Sequence, residues 1–184
     1  MGSYITTYTH RHFDPADPDP ELILIEDIAH ALSMLCRGNG HVSSFWSIGE
    51  HCICCAKEAA GRGLSKKVVL ACLLHDASEC YMSDVPRPLK QNMKDYKQQE
   101  SSLLNVIYRK FLGEALTEEE EKQIKAIDDD LLWYDLEMLL GEKQNREKPE
   151  LHIRLDYKVR PFDMVEREYL DFFRELSSEL ESKV

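Results

Sequence analysis

Val68-Val69-Leu70-Ala71-Cys72-Leu73-Leu74-His75-Asp76-Ala77-Ser78-Glu79-Cys80-Tyr81-Met82 runs apolar for seven residues and then turns abruptly ionisable. Its spacing predicts one strongly apolar helix, capped by Ser65 and finished before Pro86 and Pro88. On such a helix Val68, Ala71, Cys72 and His75 share a face, and Val69, Cys72, Leu73 and Asp76 share the neighbouring one. His75 and Asp76 therefore enter the interior together. Glu79 stands one turn later, four residues from His75 and three from Asp76, and projects from the same side.

Working outward, helical spacing dominates in both directions. Residues 1–20 read as irregular, because Pro15, Pro18 and Pro20 fall within six positions, which no helix or central strand tolerates. Ile25, Ile28, Ala29, Leu32, Leu35 and Cys36 make an apolar stripe that Gly38 is expected to close as the C′ residue. A short loop to Ser44 follows. Ser47-Ile48-Gly49-Glu50 has the form of a capping box opening a helix through Ala60, and Gly61-Arg62-Gly63 breaks it. Asp95 to Leu112 is amphipathic. Thr117-Glu118-Glu119-Glu120 is a second capping box, opening a helix to about Leu140 with acids in its first turn. Residues 141–160 read as a polar connection, and Met164 to Leu176 as a last helix carrying Val165, Tyr169, Phe172, Phe173 and Leu176. The expected fold is all-α, a single-domain helical bundle spanning residues 1–184.

The chain has 184 residues, 43% of them apolar and 31% charged, the mix of a globular protein. Its 34 Asp and Glu against 23 Lys and Arg give a net charge of −11. That argues against nucleic-acid polymers and anionic membranes as partners, since both demand a basic footprint. A small anion such as a nucleotide stays compatible, because a few buried cations hold a phosphate whatever the total charge. No apolar run is long enough to cross a bilayer. Met1-Gly2-Ser3-Tyr4 lacks the basic and apolar regions of a signal peptide and matches a myristoylation start only loosely, so the expected location is the cytoplasm. The cysteines at 36, 52, 54, 55, 72 and 80 then read as reduced, buried side chains. Cys52, Cys54 and Cys55 resemble a zinc knuckle at first sight, but no second Cys-x-x-Cys follows them.

Three helices each place an ionisable group in an apolar stripe. His51 lies between Ile48 and Cys55, facing the core. His75 and Asp76 enter from the end of the Val68 helix. In Asp128-Asp129-Asp130, taking about 100° per residue, Ile124, Ile127, Leu131 and Leu132 bracket the direction of Asp128 alone. The plainer reading, four separate hydrogen-bonded core residues, fits any one of them. For all four it weakens, because a buried carboxylate without partners costs several kcal/mol. A divalent metal relieves them together: two imidazoles and two carboxylates suit manganese, cobalt, iron or zinc, with magnesium compatible, and leave room for water and a substrate oxygen.

The order His51, His75-Asp76, Asp128 resembles the H…HD…D signature of the HD-domain metal-dependent phosphohydrolases. Leu74-His75-Asp76-Ala77-Ser78-Glu79 with Ser83-Asp84-Val85-Pro86-Arg87-Pro88-Leu89-Lys90 is similar to a block of bacterial 5′-deoxynucleotidases and related deoxynucleoside triphosphatases. Phe13-Asp14-Pro15, Ile25-Glu26-Asp27-Ile28-Ala29-His30-Ala31-Leu32-Ser33, Cys36-Arg37, Gly40-His41 and Trp46-Ser47-Ile48-Gly49-Glu50-His51 resemble small phage- and prophage-type HD hydrolases. Together these words cover about residues 4 to 140.

The resemblance implies His51, His75, Asp76 and Asp128 as metal ligands, with Lys125 three before Asp128 supporting that register. It implies Glu79 and Asp84 as the residues that handle protons and orient water, and Arg37 and Lys90 as phosphate-binding cations. His41 matches only the phage-type group, where it touches substrate or caps its loop. The aromatic that follows the arginine in the deoxynucleotidases is Gly38 here, which leaves a deoxy preference open. The implied activity is metal-dependent release of phosphate from (deoxy)nucleoside 5′-monophosphates. The alternatives are a deoxynucleoside triphosphate triphosphohydrolase and a non-catalytic nucleotide-sensing module. Relatives in the resembled family are often dimers or larger, so homo-oligomerisation is a further option, with the aromatic C-terminal helix packing either on a partner copy or on its own core.

Overall fold

The computed structural model describes residues 4–181. Met1, Gly2 and Ser3, on which the reading of the chain start rests, lie outside the described residues, as do the last three. The expectation of an irregular start is corrected in one respect: β1 (Ile5–Thr6) and β2 (His12–Phe13) pair antiparallel, with Ile5 opposite Phe13. The turn between them is pinned by the buried carboxylate of Asp27, which accepts the Thr9 N–H at 2.7 Å and its hydroxyl at 2.9 Å. Phe13 is fully buried, so this hairpin closes one end of the core.

The remaining elements are helical: α1 (Ile25–Met34), α2 (Ile48–Gly61), α3 (Lys66–Leu74), α4 (Glu79–Met82), α5 (Arg87–Lys90), α6 (Lys94–Leu112), α7 (Glu118–Leu140) and α8 (Phe162–Glu181). Both capping boxes form. The Ser47 and Thr117 hydroxyls accept the N–H of Glu50 and Glu120, whose carboxylates reach back to the cap N–H groups.

Two boundaries differ from expectation. Helix α1 stops at Met34, before Gly38, because the following backbone is drawn into bonds with the start of α2: Ile48 N–H donates to Leu35 O at 3.0 Å and Arg37 N–H to Trp46 O at 2.8 Å. Gly38 instead supplies a left-handed residue (φ 57°) in a tight turn over Arg37–Gly40. The second difference is that the long apolar helix breaks at Leu74. The Cys72 carbonyl is taken by His75 Nδ1 at 2.8 Å, and the Leu73 carbonyl by the Tyr169 hydroxyl at 2.5 Å. With its last carbonyls satisfied by side chains, the helix tightens through residues 75–78 before α4 begins.

Helices α2 and α3 pack side by side, α7 crosses both, α6 backs α3, and α8 lies across α1, α2 and α3. Val165, Tyr169 and Leu176 of α8 are buried, so the aromatic helix closes its own core. Gly49 permits the close approach of α1 and α2: a Cβ there would meet the Leu32 backbone at 3.3 Å. No helix of the described residues is long and apolar enough to cross a membrane. All six cysteines are free thiols.

The polar connection is a strap bonded to the body. Trp133 donates its indole N–H to Arg146 O at 3.3 Å, and Tyr134 its hydroxyl to Pro149 O at 2.6 Å. Fully buried Glu58 accepts the N–H groups of His152 and Ile153 at 2.8 and 3.2 Å and the Arg62 guanidinium at 2.8 Å. Gly61 lets the strap lie this close, since a Cβ there would stand 2.7 Å from the His152 Cβ. Gly61→Ala is therefore expected to destabilise the fold by about 1–3 kcal/mol, the usual cost of overpacking, read from the urea midpoint. An unchanged midpoint would show that the strap yields at no cost.

Candidate metal centre

Helix α2, the turn after α3, and α7 converge on one point. His51 comes from the first turn of α2, His75 and Asp76 from the break after Leu74, and Asp128 from the middle of α7. His51 Nε2 lies 3.2 Å from Asp128 Oδ1, and His75 Nε2 lies 3.3 Å from Asp76 Oδ2 and 3.8 Å from Asp128 Oδ1. The two imidazole centroids are 5.3 Å apart. The sequence-predicted quartet is thus one cluster.

Both imidazoles are turned the same way by what their other nitrogen does. His75 Nδ1 faces the Cys72 carbonyl at 2.8 Å, which demands a proton on that nitrogen. His51 Nδ1 faces Asp135 Oδ2 at 3.0 Å. With each Nδ1 so engaged, both Nε2 atoms are directed at the carboxylates of Asp76 and Asp128. His75 Nε2 is buried and has no hydrogen-bond partner. Ring nitrogens converging with carboxylate oxygens, one of them buried without a hydrogen-bond partner, are what a bound cation satisfies, so the residues present fit a divalent metal.

Thiols stand behind the imidazoles. His51, Cys55 and His75, and also Cys52, His75 and Asp76, bring ligand atoms within 4.8 Å of one another. Burial pushes both thiols up, Cys55 well above its ordinary range, which disfavours the thiolate needed of a ligand. The carboxylates go the other way. Despite burial, Asp128 is held well below the carboxylate range by His51 and His75, and Asp76 by His75 and Arg37.

The aspartate triplet separates by direction. Asp128 faces the histidines; Asp129 pairs with Lys125 and with Arg87 at 3.6 Å, and Asp130 with Arg62 at 2.9 Å and Arg146 at 3.5 Å. Lys125 also reaches Asp128 Oδ2 at 3.3 Å.

Sequence reading missed Asp135. It lies seven residues after Asp128, two turns along α7, and only 7% of it is exposed. Its carboxylate gathers His51 Nδ1, the Arg37 guanidinium at 3.3 Å and the Tyr157 hydroxyl at 2.9 Å. The signal was available, since an acid two turns from Asp128 among Leu131, Trp133 and Leu139 faces the same interior.

Arg37 also reaches Asp76 Oδ2 at 3.4 Å, so it bridges the Asp76 and Asp135 carboxylates at the edge of the cluster. Glu79 is buried, with Oε2 lacking a hydrogen-bond partner. Desolvation, then Asp76 and Asp84, push its carboxyl well above the usual range, and desolvation also raises Asp84. Lys90 is half-buried and pairs with Glu100 at 2.5 Å, over the Tyr96 ring. His41 is exposed at the end of the Arg37–Gly40 turn, where its N–H donates to Gly38 O at 3.0 Å. A cleft of about 310 Å³ opens onto the cluster, with His75, Asp76 and Asp128 on its floor and Leu104, Asn105 and Tyr108 of α6 along one wall.

The chain is 36% identical over 109 residues to an uncharacterised Escherichia coli K12 protein, YfdR, a match covering 59% of this chain and 58% of that one. It is 34% identical over 124 residues to an uncharacterised Rhodobacter capsulatus protein, covering 64% and 63%. The chain thus spans about three fifths of the length of these curated relatives. No protein-family model matches it.

Proposed function

We propose that this protein is an HD-type metal-dependent phosphohydrolase of nucleotides, releasing phosphate from (deoxy)nucleoside 5′-monophosphates. The observation that carries the reading is the convergence of His51, His75, Asp76 and Asp128 with both Nε2 atoms turned inward, beside an arginine and a buried carboxyl with one unpartnered oxygen. These four residues would hold the cation, which would supply Lewis-acid polarisation of the phosphoryl group and a more acidic water.

Each remaining group has a task suited to its surroundings. Asp84 aligns the attacking water and accepts its proton. Glu79, kept protonated by burial, donates a proton to the leaving oxygen. Arg37 and Lys90 neutralise charge that develops on the phosphoryl group, for which Lys90 exchanges Glu100 for substrate. The cleft against α6 takes the organic part of the substrate.

Phosphate release from a panel of nucleotides, with EDTA and add-back of manganese, cobalt, iron, zinc or magnesium, tests this reading. Absence of turnover on every nucleotide with every ion would sink it. Nucleoside plus tripolyphosphate from a deoxynucleoside triphosphate would assign a triphosphohydrolase instead. Saturable nucleotide binding without turnover would assign a sensing module.

Arg37→Ala is expected to lower kcat/KM by about 10²-fold, the size of losing one preorganised donor. Arg37→Lys should rescue poorly, because an ammonium keeps the charge but loses the planar two-pronged contact. Full activity with a lowered melting temperature would instead make Arg37 a tie between Asp76 and Asp135 and nothing more.

A further inference from the structure

The strap between α7 and α8 makes one contact that its own anchoring does not require. Its Tyr157 hydroxyl donates to Asp135 Oδ1 at 2.9 Å, while the other oxygen of that carboxylate accepts from His51 Nδ1 at 3.0 Å. The Tyr157 ring also packs on Trp46, centroids 4.8 Å apart, one residue before the Ser47 cap that opens the His51 helix. One tyrosine therefore touches both determinants of the His51 ring: the acceptor that orients it and the start of the helix that carries it.

We propose that Tyr157 and Asp135 are positioning residues of the metal centre, through which the strap holds His51 with its Nε2 facing Asp128. A carboxylate bonded through one oxygen only can rotate about its terminal torsion, and His51 then loses a fixed partner for Nδ1–H. Bonded through both oxygens it is locked, and the imidazole with it. Arg37, on the same Oδ2 at 3.3 Å, supports the lock from the substrate side. Partners of this kind on a metal-bound histidine typically change metal affinity about 10–100-fold. The proposal rests on the reading of this cluster as a metal site, yet its structural half, the state of His51, is measurable without any metal.

Tyr157→Phe tests it, because the ring and its contact with Trp46 remain and only the hydroxyl is lost. Tyr134→Phe serves as the comparison: it removes another hydroxyl that holds the strap, donating to Pro149 O at 2.6 Å, away from the ligands. Two readouts are taken on the 184-residue chain. One is nitrogen-15 NMR of the histidine rings in metal-free protein, and the other is Mn²⁺ and Zn²⁺ affinity by calorimetry.

Tyr157→Phe is expected to shift the ring-nitrogen resonances of His51 and to weaken metal binding about 10-fold, with melting temperature close to wild type. Tyr134→Phe should leave both readouts unchanged. Unaltered His51 ring resonances in Tyr157→Phe, or the same change in both variants, overturn the proposal. Should wild-type protein bind neither ion, the metal reading fails, while the comparison of ring resonances still decides whether Tyr157 positions His51.

Discussion

Asp76→Ala is expected to abolish turnover and metal content together, while Glu79→Ala abolishes turnover and keeps the metal. The difference comes from where the two carboxyls point. Asp76 Oδ2 lies 3.3 Å from His75 Nε2, inside the cluster, and its removal takes away one of the four groups that would hold the cation. Glu79 stands a turn further on, buried, with one oxygen unpartnered and its carboxyl pushed up by desolvation and by Asp76 and Asp84. Loss of a general acid costs about 10²–10⁴-fold in rate. Metal analysis of the two purified variants beside their phosphate-release rates separates the outcomes, and equal metal loss in both would make Glu79 a ligand.

The same carboxyl carries a stability signature. A glutamate whose folded pKa is raised binds more protons folded than unfolded, so its contribution to stability falls as pH rises from the unfolded value of about 4.3 toward the folded one. Glu79→Gln removes that dependence. In metal-free protein the variant is expected to gain stability over wild type as pH increases through this window, while remaining inactive. A stability difference that does not vary with pH would show that Glu79 is ionised in the folded protein.

Asp128→Asn is expected to remove most bound metal and nearly all turnover, whereas Asp129→Asn stays close to wild type. Asp128 Oδ1 lies 3.2 Å from His51 Nε2 and 3.8 Å from His75 Nε2, and an amide in its place offers one oxygen and no charge. Asp129 spends its carboxylate on Lys125 and Arg87, an exposed network worth about 1 kcal/mol at most. A dead Asp129→Asn variant with an active Asp128→Asn would refute the centre as drawn.

Much of the helical architecture is legible locally. Ser47 with Glu50, and Thr117 with Glu120, satisfy the same orphan N–H groups in the sequence pattern and in the fold, so those helix starts needed no tertiary information. The direction of Asp128 was likewise legible, because a regular helix turns its apolar stripe and the residue within that stripe to the same side. The break of the apolar helix at Leu74 was not. It depends on a hydroxyl from Tyr169, nearly a hundred residues away, capturing the Leu73 carbonyl at 2.5 Å.

The sequence by itself determined a mainly helical chain, its principal helices and the inward direction of His51, His75, Asp76 and Asp128, because local hydrogen bonding and a 3.6-residue period decide those features. Tertiary structure alone decided where α1 stops, since Leu35 and Arg37 exchange helical bonds for Ile48 and Trp46. It also decided that residues 141–160 form a strap held by buried Glu58, and that Asp135 serves His51, Arg37 and Tyr157 at once. The physical reason is common to all three. A buried polar group must find a partner, and when that partner is distant in the chain no local pattern names it.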